Sequence, residues 1–314
     1  MASLRRPSAV VVTRLCLSAL VANMTIVLTG ALVRLTGSGL GCPTWPKCTN
    51  SSYVNTPEYG LHGVIEFGNR SLTLVLSAVV AACIVVTMLQ RPRRRDLVGL
   101  SWSLFAGIVG QAVLGGITVR THLNPWTVAA HFLLSMALVA AAATLVVRAR
   151  ERAAPDGSPV PRYVRWLGLS VAPVTAAVLV LGTVVTGSGP HAGDESAART
   201  GFDPATVSHI HAGAVMLLVA LTIATVTGLR RSGAPRRVRR AAGVLLGLEL
   251  AQGAVGYLQY FTGVPVVLVA VHVAGACLVW LAAVTLTLQL RPGPRSMPAG
   301  RPPVSVPTEA PSTA

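Results

Sequence analysis

Eight apolar stretches dominate this sequence, at residues 14–35, 64–90, 97–119, 127–148, 165–187, 206–229, 241–260 and 265–290. Each is about long enough to cross ~30 Å of hydrocarbon. The breaks between them are sharp: Arg91-Pro92-Arg93-Arg94-Arg95, the proline-containing segment from Arg148 to Arg165, and Arg230 to Arg240. Charged residues make up only 11% of the chain, and the mean hydropathy is +0.63. A water-facing domain carries roughly 25% charged residues, so a soluble fold is excluded. The first stretch follows Arg5 and Arg6 as a signal peptide would. Its apolar core is too long for one and no small-residue cleavage site follows, so it reads as a retained helix.

The net charge of +16 invites a nucleic-acid reading, but the distribution of charge argues against it. There is one lysine, and 21 of the 26 basic residues fall in the N-terminus, in the breaks after the second, fourth and sixth stretches, and in the C-terminal tail. The opposite side holds only Arg34, Lys47, Arg70, Arg120 and Arg199. This is an orientation signal at a lipid surface rather than a phosphate-tracking face. It predicts a multi-pass protein of the cell membrane with both termini cytoplasmic.

The chain also repeats itself. Thr36-Gly37-Ser38-Gly39 recurs as Thr186-Gly187-Ser188-Gly189, Gln111-Ala112-Val113-Leu114-Gly115 recurs loosely as Gln252-Gly253-Ala254-Val255-Gly256, and His131 is matched by His272. Three matches in one order, with four stretches per half, predict parallel repeats related by an axis along the membrane normal. The expected fold is therefore all-α, eight transmembrane helices in two parallel-repeat four-helix bundles. The divisions are a cytoplasmic N-terminus at 1–13, an N-terminal bundle at 14–149, a cytoplasmic linker at 150–164, a C-terminal bundle at 165–290 and a tail at 291–314. The tail's prolines and small polar residues predict disorder.

Histidine is the informative residue. All seven (His62, His122, His131, His191, His209, His211 and His272) avoid the cytoplasmic segments. An ionisable group in a membrane helix is costly and marks function by default. His131 and His272 lie one to two turns inside the outer ends of their helices, and His209 and His211 lie at the same depth of the sixth. Two imidazoles facing each other across a bundle are what bis-histidine haem ligation requires. A hydrogen bond to a neighbouring helix is the plainer use of a single such histidine. In the second helix, Glu66 and Asn69 share a face. Glu66 there pairs with Arg70 or serves chemistry, and Asn69 stands where the sixth helix has histidine. His62, about two turns or roughly 10 Å away along the axis, replaces it only if the helix begins irregularly.

Cys16, Cys83 and Cys277 fall within helices and read as small buried apolar residues. Cys42 and Cys48 share an outer loop, Gly41-Cys42-Pro43-Thr44-Trp45-Pro46-Lys47-Cys48, on an oxidising face where a disulfide is expected. That bond serves as a loop staple or as an exchangeable redox pair. Glu249, one turn from Gln252, reads as a carboxyl hydrogen-bonded within its bundle, without a catalytic role.

Together these strings resemble the haem A synthase family across about residues 14 to 290. The carriers are Gly30-Ala31-Leu32-Val33-Arg34-Leu35-Thr36-Gly37-Ser38-Gly39 leading into the cysteine loop, then Ile65-Glu66-Phe67-Gly68-Asn69-Arg70, then His131 and His272. The arginine-rich, lysine-poor composition and the lack of a second cysteine pair resemble an actinobacterial member. The resemblance implies oxidation of the C8 methyl of haem O to a formyl group, giving haem A for cytochrome c oxidase assembly, with haem O synthase as upstream partner. Lipid is the setting, and a homo-oligomer is compatible with it.

The resemblance also assigns residues. It implies haem b in the C-terminal bundle between His272 and either His211 or His209, the small residues after His211 favouring the former. It makes His131 the ligand of the substrate haem, Glu66 the carboxylate beside the reacting methyl, and Cys42 and Cys48 a pair for electron delivery or haem handling. Asn69 departs from the histidine that many members carry, leaving iron to His131 alone or with His62. The rivals are a dihaem b-type electron carrier between quinol and oxidase, which would use the same histidines, and a haem transporter. Glu66 beside an unsaturated site favours chemistry.

Overall fold

The computed structural model describes residues 7–150 and 160–291. Most of the predicted tail, the centre of the predicted linker and residues 1–6 lie outside the described residues.

Eight α-helices and one short 3-10 turn make up the described residues, with no strand among them. They are α1 (Ala9–Leu35), α2 (Gly60–Leu89), α3 (Arg95–Arg120), α4 (Pro125–Arg150), α5 (Arg162–Ser188), α6 (Pro204–Arg231), α7 (Arg236–Phe261) and α8 (Val266–Leu290). All eight are long and apolar enough to cross a membrane, and the chain is a multi-pass membrane protein. The first seven helices outrun their apolar stretches at one or both ends, and α8 matches its stretch to within one residue. Helix propensity does not stop at the hydrocarbon edge, so α1 begins at Ala9, ahead of Arg14, and α2 begins four residues early.

Local chemistry sets the boundaries. Ser8 caps α1 by accepting from Val11 N at 3.3 Å. Asp203 caps α6, accepting from both Thr206 N and Thr206 Oγ1; those hydrogen bonds hold its carboxyl below the usual range. Proline stands at the first position of α4 and α6 and just before α5, α7 and α8, where its missing N–H costs nothing.

In the first half α1 packs on α2 and α4, and α3 on α2 and α4; in the second, α5 packs on α6 and α8, and α7 on α6 and α8. The halves meet through α4 on α8, α4 on α5 and α1 on α8. One apolar core fills α1–α4 and reaches across to Leu179, Cys277 and Val284; a second fills α5–α8. The outward faces stay apolar, with Leu74 and Phe261 about three-quarters exposed, as lipid-facing residues must be.

The halves are pinned where arginine is scarce. Arg34, at the end of α1, donates from Nε to the carbonyl of His191 and from Nη2 to that of Thr186 at 2.8 Å. Gly39 N donates to Gly193 O at 2.8 Å. Deeper, Trp280 Nε1 on α8 donates to Met136 O on α4 at 2.7 Å.

Candidate functional site

Three imidazoles sit against glycines of a neighbouring helix. A Cβ built on Gly115 of α3 would meet His131 Cε1 at 3.2 Å. One on Gly182 of α5 would meet His211 Cε1 at 3.3 Å, and one on Gly256 of α7 would meet His272 Cε1 at 3.4 Å. The missing side chain lets each ring lie flush on the adjoining backbone. The buried Nδ1 of all three has no hydrogen-bond partner, although the Val178 carbonyl lies near that of His211. In water such nitrogens would be satisfied, and leaving them bare in a protein is costly. Imidazoles held this way have the donor chemistry of metal ligands.

The fourth corner is occupied differently. A Cβ on Gly30 of α1 would meet Asn69 Nδ2 at 3.9 Å, and Thr29 Oγ1 donates to Asn69 Oδ1 at 2.7 Å. Asn69 thus occupies in the first half the place that His211 occupies in the second, and its amide oxygen is already bonded.

Two glutamines brace the helices that carry His131 and His272. Gln111 Nε2 donates to His131 O at 3.1 Å and to Ser135 Oγ at 2.6 Å. Gln252 Nε2 donates to His272 O at 2.7 Å. The repeated glutamine–glycine string of the sequence therefore has two tasks: glutamine fixes the histidine backbone, and glycine four residues later admits its ring.

His211 and His209 are two apart on α6, so they point in different directions. His211 faces α5 and lies close enough to His272 to interact electrostatically. His209 is exposed, with its ring 6.0 Å from that of Tyr260. His211 is turned into the protein against α5, and His209 is exposed.

A loop lid closes the arginine-poor end of the first half. Cys42 and Cys48 are bonded, with their Cα atoms 4.4 Å apart, and both are buried. Trp45 of the same loop lies on α3, where a Cβ at Gly116 would meet its ring at 2.6 Å. Gly116 adjoins the glycine that backs His131. Glu66, 6% exposed, holds this lid from below. Its Oε2 accepts from Cys42 N at 2.6 Å, and its Oε1 accepts from Arg70 Nη2 at 2.5 Å and Nε at 3.1 Å. Arg70 also donates to the carbonyls of Cys42, Thr44 and Lys47. The plain pairing with Arg70 is present, and the pair anchors the disulfide loop over the bundle.

His62 lies in the first turn of α2, exposed, with Nδ1 2.9 Å from Ser38 Oγ. α2 begins at Gly60, whose φ is 51°, directly after the 3-10 turn Pro57–Tyr59. His191 Nε2 lies 2.9 Å from Val264 O, and His122 is an exposed loop residue at φ 49°.

Sequence reasoning passed over the backing glycines, although Gly115 and Gly256 stood inside the repeated strings. It also passed over Thr222, whose Oγ1 donates to Glu249 Oε1 at 2.9 Å.

A family model described as COX15-CtaA, cytochrome oxidase assembly protein, matches residues 13–284. The chain belongs to the COX15-CtaA family. The match runs from α1 into α8, so all four corners just described fall inside the COX15-CtaA region. The chain is similar to a heme A synthase of Lysinibacillus sphaericus, 29% identical over 54% of this chain and 55% of the relative. It is also similar to those of Oceanobacillus iheyensis, 28% identical over 32% and 33%, and Geobacillus kaustophilus, 30% identical over 41% and 40%. The chain thus spans between a third and just over half the length of these curated relatives.

Proposed function

We propose that this COX15-CtaA protein is a haem A synthase, an oxidoreductase that converts the C8 methyl of haem O to a formyl group by successive hydroxylations and loss of water. One observation carries the reading: three imidazoles at matching positions, bare of hydrogen bonds at Nδ1 and backed by glycine, inside a chain whose curated relatives bear that name. The residues fit haem, because each imidazole packs its Cε1–Nδ1 edge on glycine backbone and leaves Nε2 as the nitrogen that would bind iron.

His211 and His272 would hold haem b in the C-terminal bundle, and His131 would hold the substrate haem O. Haem b, when bound, supplies one-electron transfer. Glu66 holds its carboxylate one turn from Asn69, beneath the lid. If electrons leave the methyl carbon stepwise, positive charge builds there, and a fixed carboxylate in a water-poor pocket stabilises it. The lid, with Trp45 on α3, keeps water from that pocket. Asn69 leaves His131 as the one imidazole ligand on the substrate side.

The closed set of helix pairings supports two parallel repeats: exchanging α1–α4 for α5–α8 returns the same pairs. The arginine distribution supports cytoplasmic termini, with the lid on the opposite face. Haem O synthase as supplier and cytochrome c oxidase as recipient follow from the reaction.

The test is the haem extracted from membranes that hold this protein together with a haem O synthase. Haem A in the extract supports the reading. Haem B and haem O alone overturn it in favour of an electron carrier or transporter.

A further inference from the structure

Glu249 of α7 is 3% exposed in the middle of the C-terminal bundle. Its Oε1 accepts from Thr222 Oγ1, and its Oε2 is buried without a partner. No cation faces it among the described residues. The titratable side chains on the two helices packed against α7 are His209, His211, Arg230 and Arg231 of α6 and His272 and Cys277 of α8; none is bonded to it. Arg240, the nearest arginine on α7 itself, lies about 13 Å back along the axis.

The first half shows that the scaffold does not need this carboxyl. Positions matched through the histidine corners put Val80 opposite Thr222 and Ile108 opposite Glu249, and both are buried apolar residues. A lone carboxyl in a membrane core is expensive and calls for an opposing charge. The nearest candidate among the described residues is the proposed haem site at His272, whose ring lies on Gly256, two turns along α7 or about 10 Å away. In a medium of low dielectric, charge is felt across that distance.

We propose that Glu249 carries a redox-linked proton: it binds one proton from water when the haem held by His211 and His272 gains an electron, and releases it when that electron leaves. The proposal rests on the haem b reading given above. The step balances as one ferric iron reduced to ferrous by a one-electron donor, and one carboxylate and one proton joined as a carboxylic acid. The ionised carboxylate balances the extra positive charge of the ferric site, and the neutral acid accompanies the ferrous site. Thr222 holds the oxygen that stays an acceptor in both states.

The test uses the purified full-length protein, poised with redox mediators at a series of pH values around neutrality, with the haem b optical spectrum as readout. In the wild type the midpoint should fall as pH rises, by up to about 59 mV for each tenfold fall in proton activity. Glu249→Gln should keep the low-spin spectrum and flatten that dependence. A reduced-minus-oxidised infrared spectrum should show a carboxyl C=O band gained on reduction in the wild type and absent from the variant.

Thr222→Val gives an independent handle if Glu249→Gln does not fold. It removes a donor to the carboxylate, so the sloping range should move to higher pH. A wild-type midpoint independent of pH, an unchanged slope in Glu249→Gln or an unmoved range in Thr222→Val would each overturn the proposal. Absence of low-spin haem b from the wild type would overturn the haem reading beneath it, and the two failures look different.

Discussion

Where α5–α8 set His211 against Gly182, α1–α4 set Asn69 against Gly30; where α6 and α7 bury Thr222 and Glu249, α2 and α3 bury Val80 and Ile108. The second half thus offers two bare imidazoles and a buried carboxyl beneath them, under a loop of residues 189–203 that holds no cysteine. The first offers one imidazole, an amide already bonded to Thr29, and a lid stitched by a disulfide and by the Glu66–Arg70 pair. On the proposed reading, one pattern of helix pairing carries two kinds of site. Saturating an iron with two imidazoles favours holding a haem permanently and passing electrons. Withholding one ligand and adding a lid favours admitting a haem and changing it. The asymmetry is placed at side chains and at one loop, while the helix pairings stay the same.

The largest effect expected is a split between the halves. His272→Ala or His211→Ala should abolish the low-spin haem b spectrum in protein that still inserts, whereas His209→Ala should leave it intact. His131→Ala should do the reverse, keeping haem b and abolishing haem A. Spectra and extracted haem of the four variants check this. Loss of haem b in His131→Ala together with its retention in His272→Ala would exchange the roles of the two halves.

Glu66→Gln is next. Gln retains the shape and can still accept from Cys42 N, while Arg70 keeps three carbonyl partners, so the lid should stay folded. The rate of haem A formation should fall by about a hundredfold or more, the order associated with losing one preorganised electrostatic group, with haem b unchanged. Haem A at the wild-type level would make Glu66 a lid anchor and nothing more.

Cys42→Ser with Cys48→Ser should cost less. Opening so short a ring releases roughly 2–3 kcal/mol of constraint, and Glu66 and Trp45 still hold the loop. A several-fold loss of haem A is expected, with the haem b spectrum untouched. Thiol labelling of the wild type without reductant should miss both cysteines.

Much of this was legible in the sequence because hydrocarbon imposes strict rules. Eight long apolar runs admit only helices, and Gln111 and His131, repeated as Gln252 and His272, exposed the internal match. The choice between His209 and His211 was not legible, because spacing from His272 cannot say which way each ring turns; that is set by the glycine of α5. The double duty of Glu66 was hidden for a related reason. Its i, i+4 partner Arg70 was visible, but its bond to Cys42 N depends on how a loop 24 residues away folds back. Glu249 was visible as a charge, yet its significance lies in the orphaned oxygen and in the apolar residues that replace it in the other half.

The smallest effects should come from the backing glycines, and they grade the comparison. A methyl at Gly256 would meet His272 Cε1 at 3.4 Å, an ordinary contact; at Gly182 the distance to His211 is 3.3 Å, and at Gly115 the distance to His131 is 3.2 Å. The last two are tight enough that the ring must shift by a few tenths of an ångström. In the C-terminal half, on the reading proposed above, a shift is resisted, because His211 and His272 would both have to stay on one iron. In the N-terminal half His131 has no imidazole opposite it and can tilt. Gly256→Ala should therefore leave haem b content within about twofold of wild type, a change below ~0.5 kcal/mol. Gly182→Ala should lower haem b content further, with a perturbed low-spin signal. Gly115→Ala, despite the closest contact, should keep haem A formation within the same factor. If Gly115→Ala were the most damaging of the three, tightness of contact alone would govern the sites, and the difference in ligand number between the halves would lose its mechanical meaning.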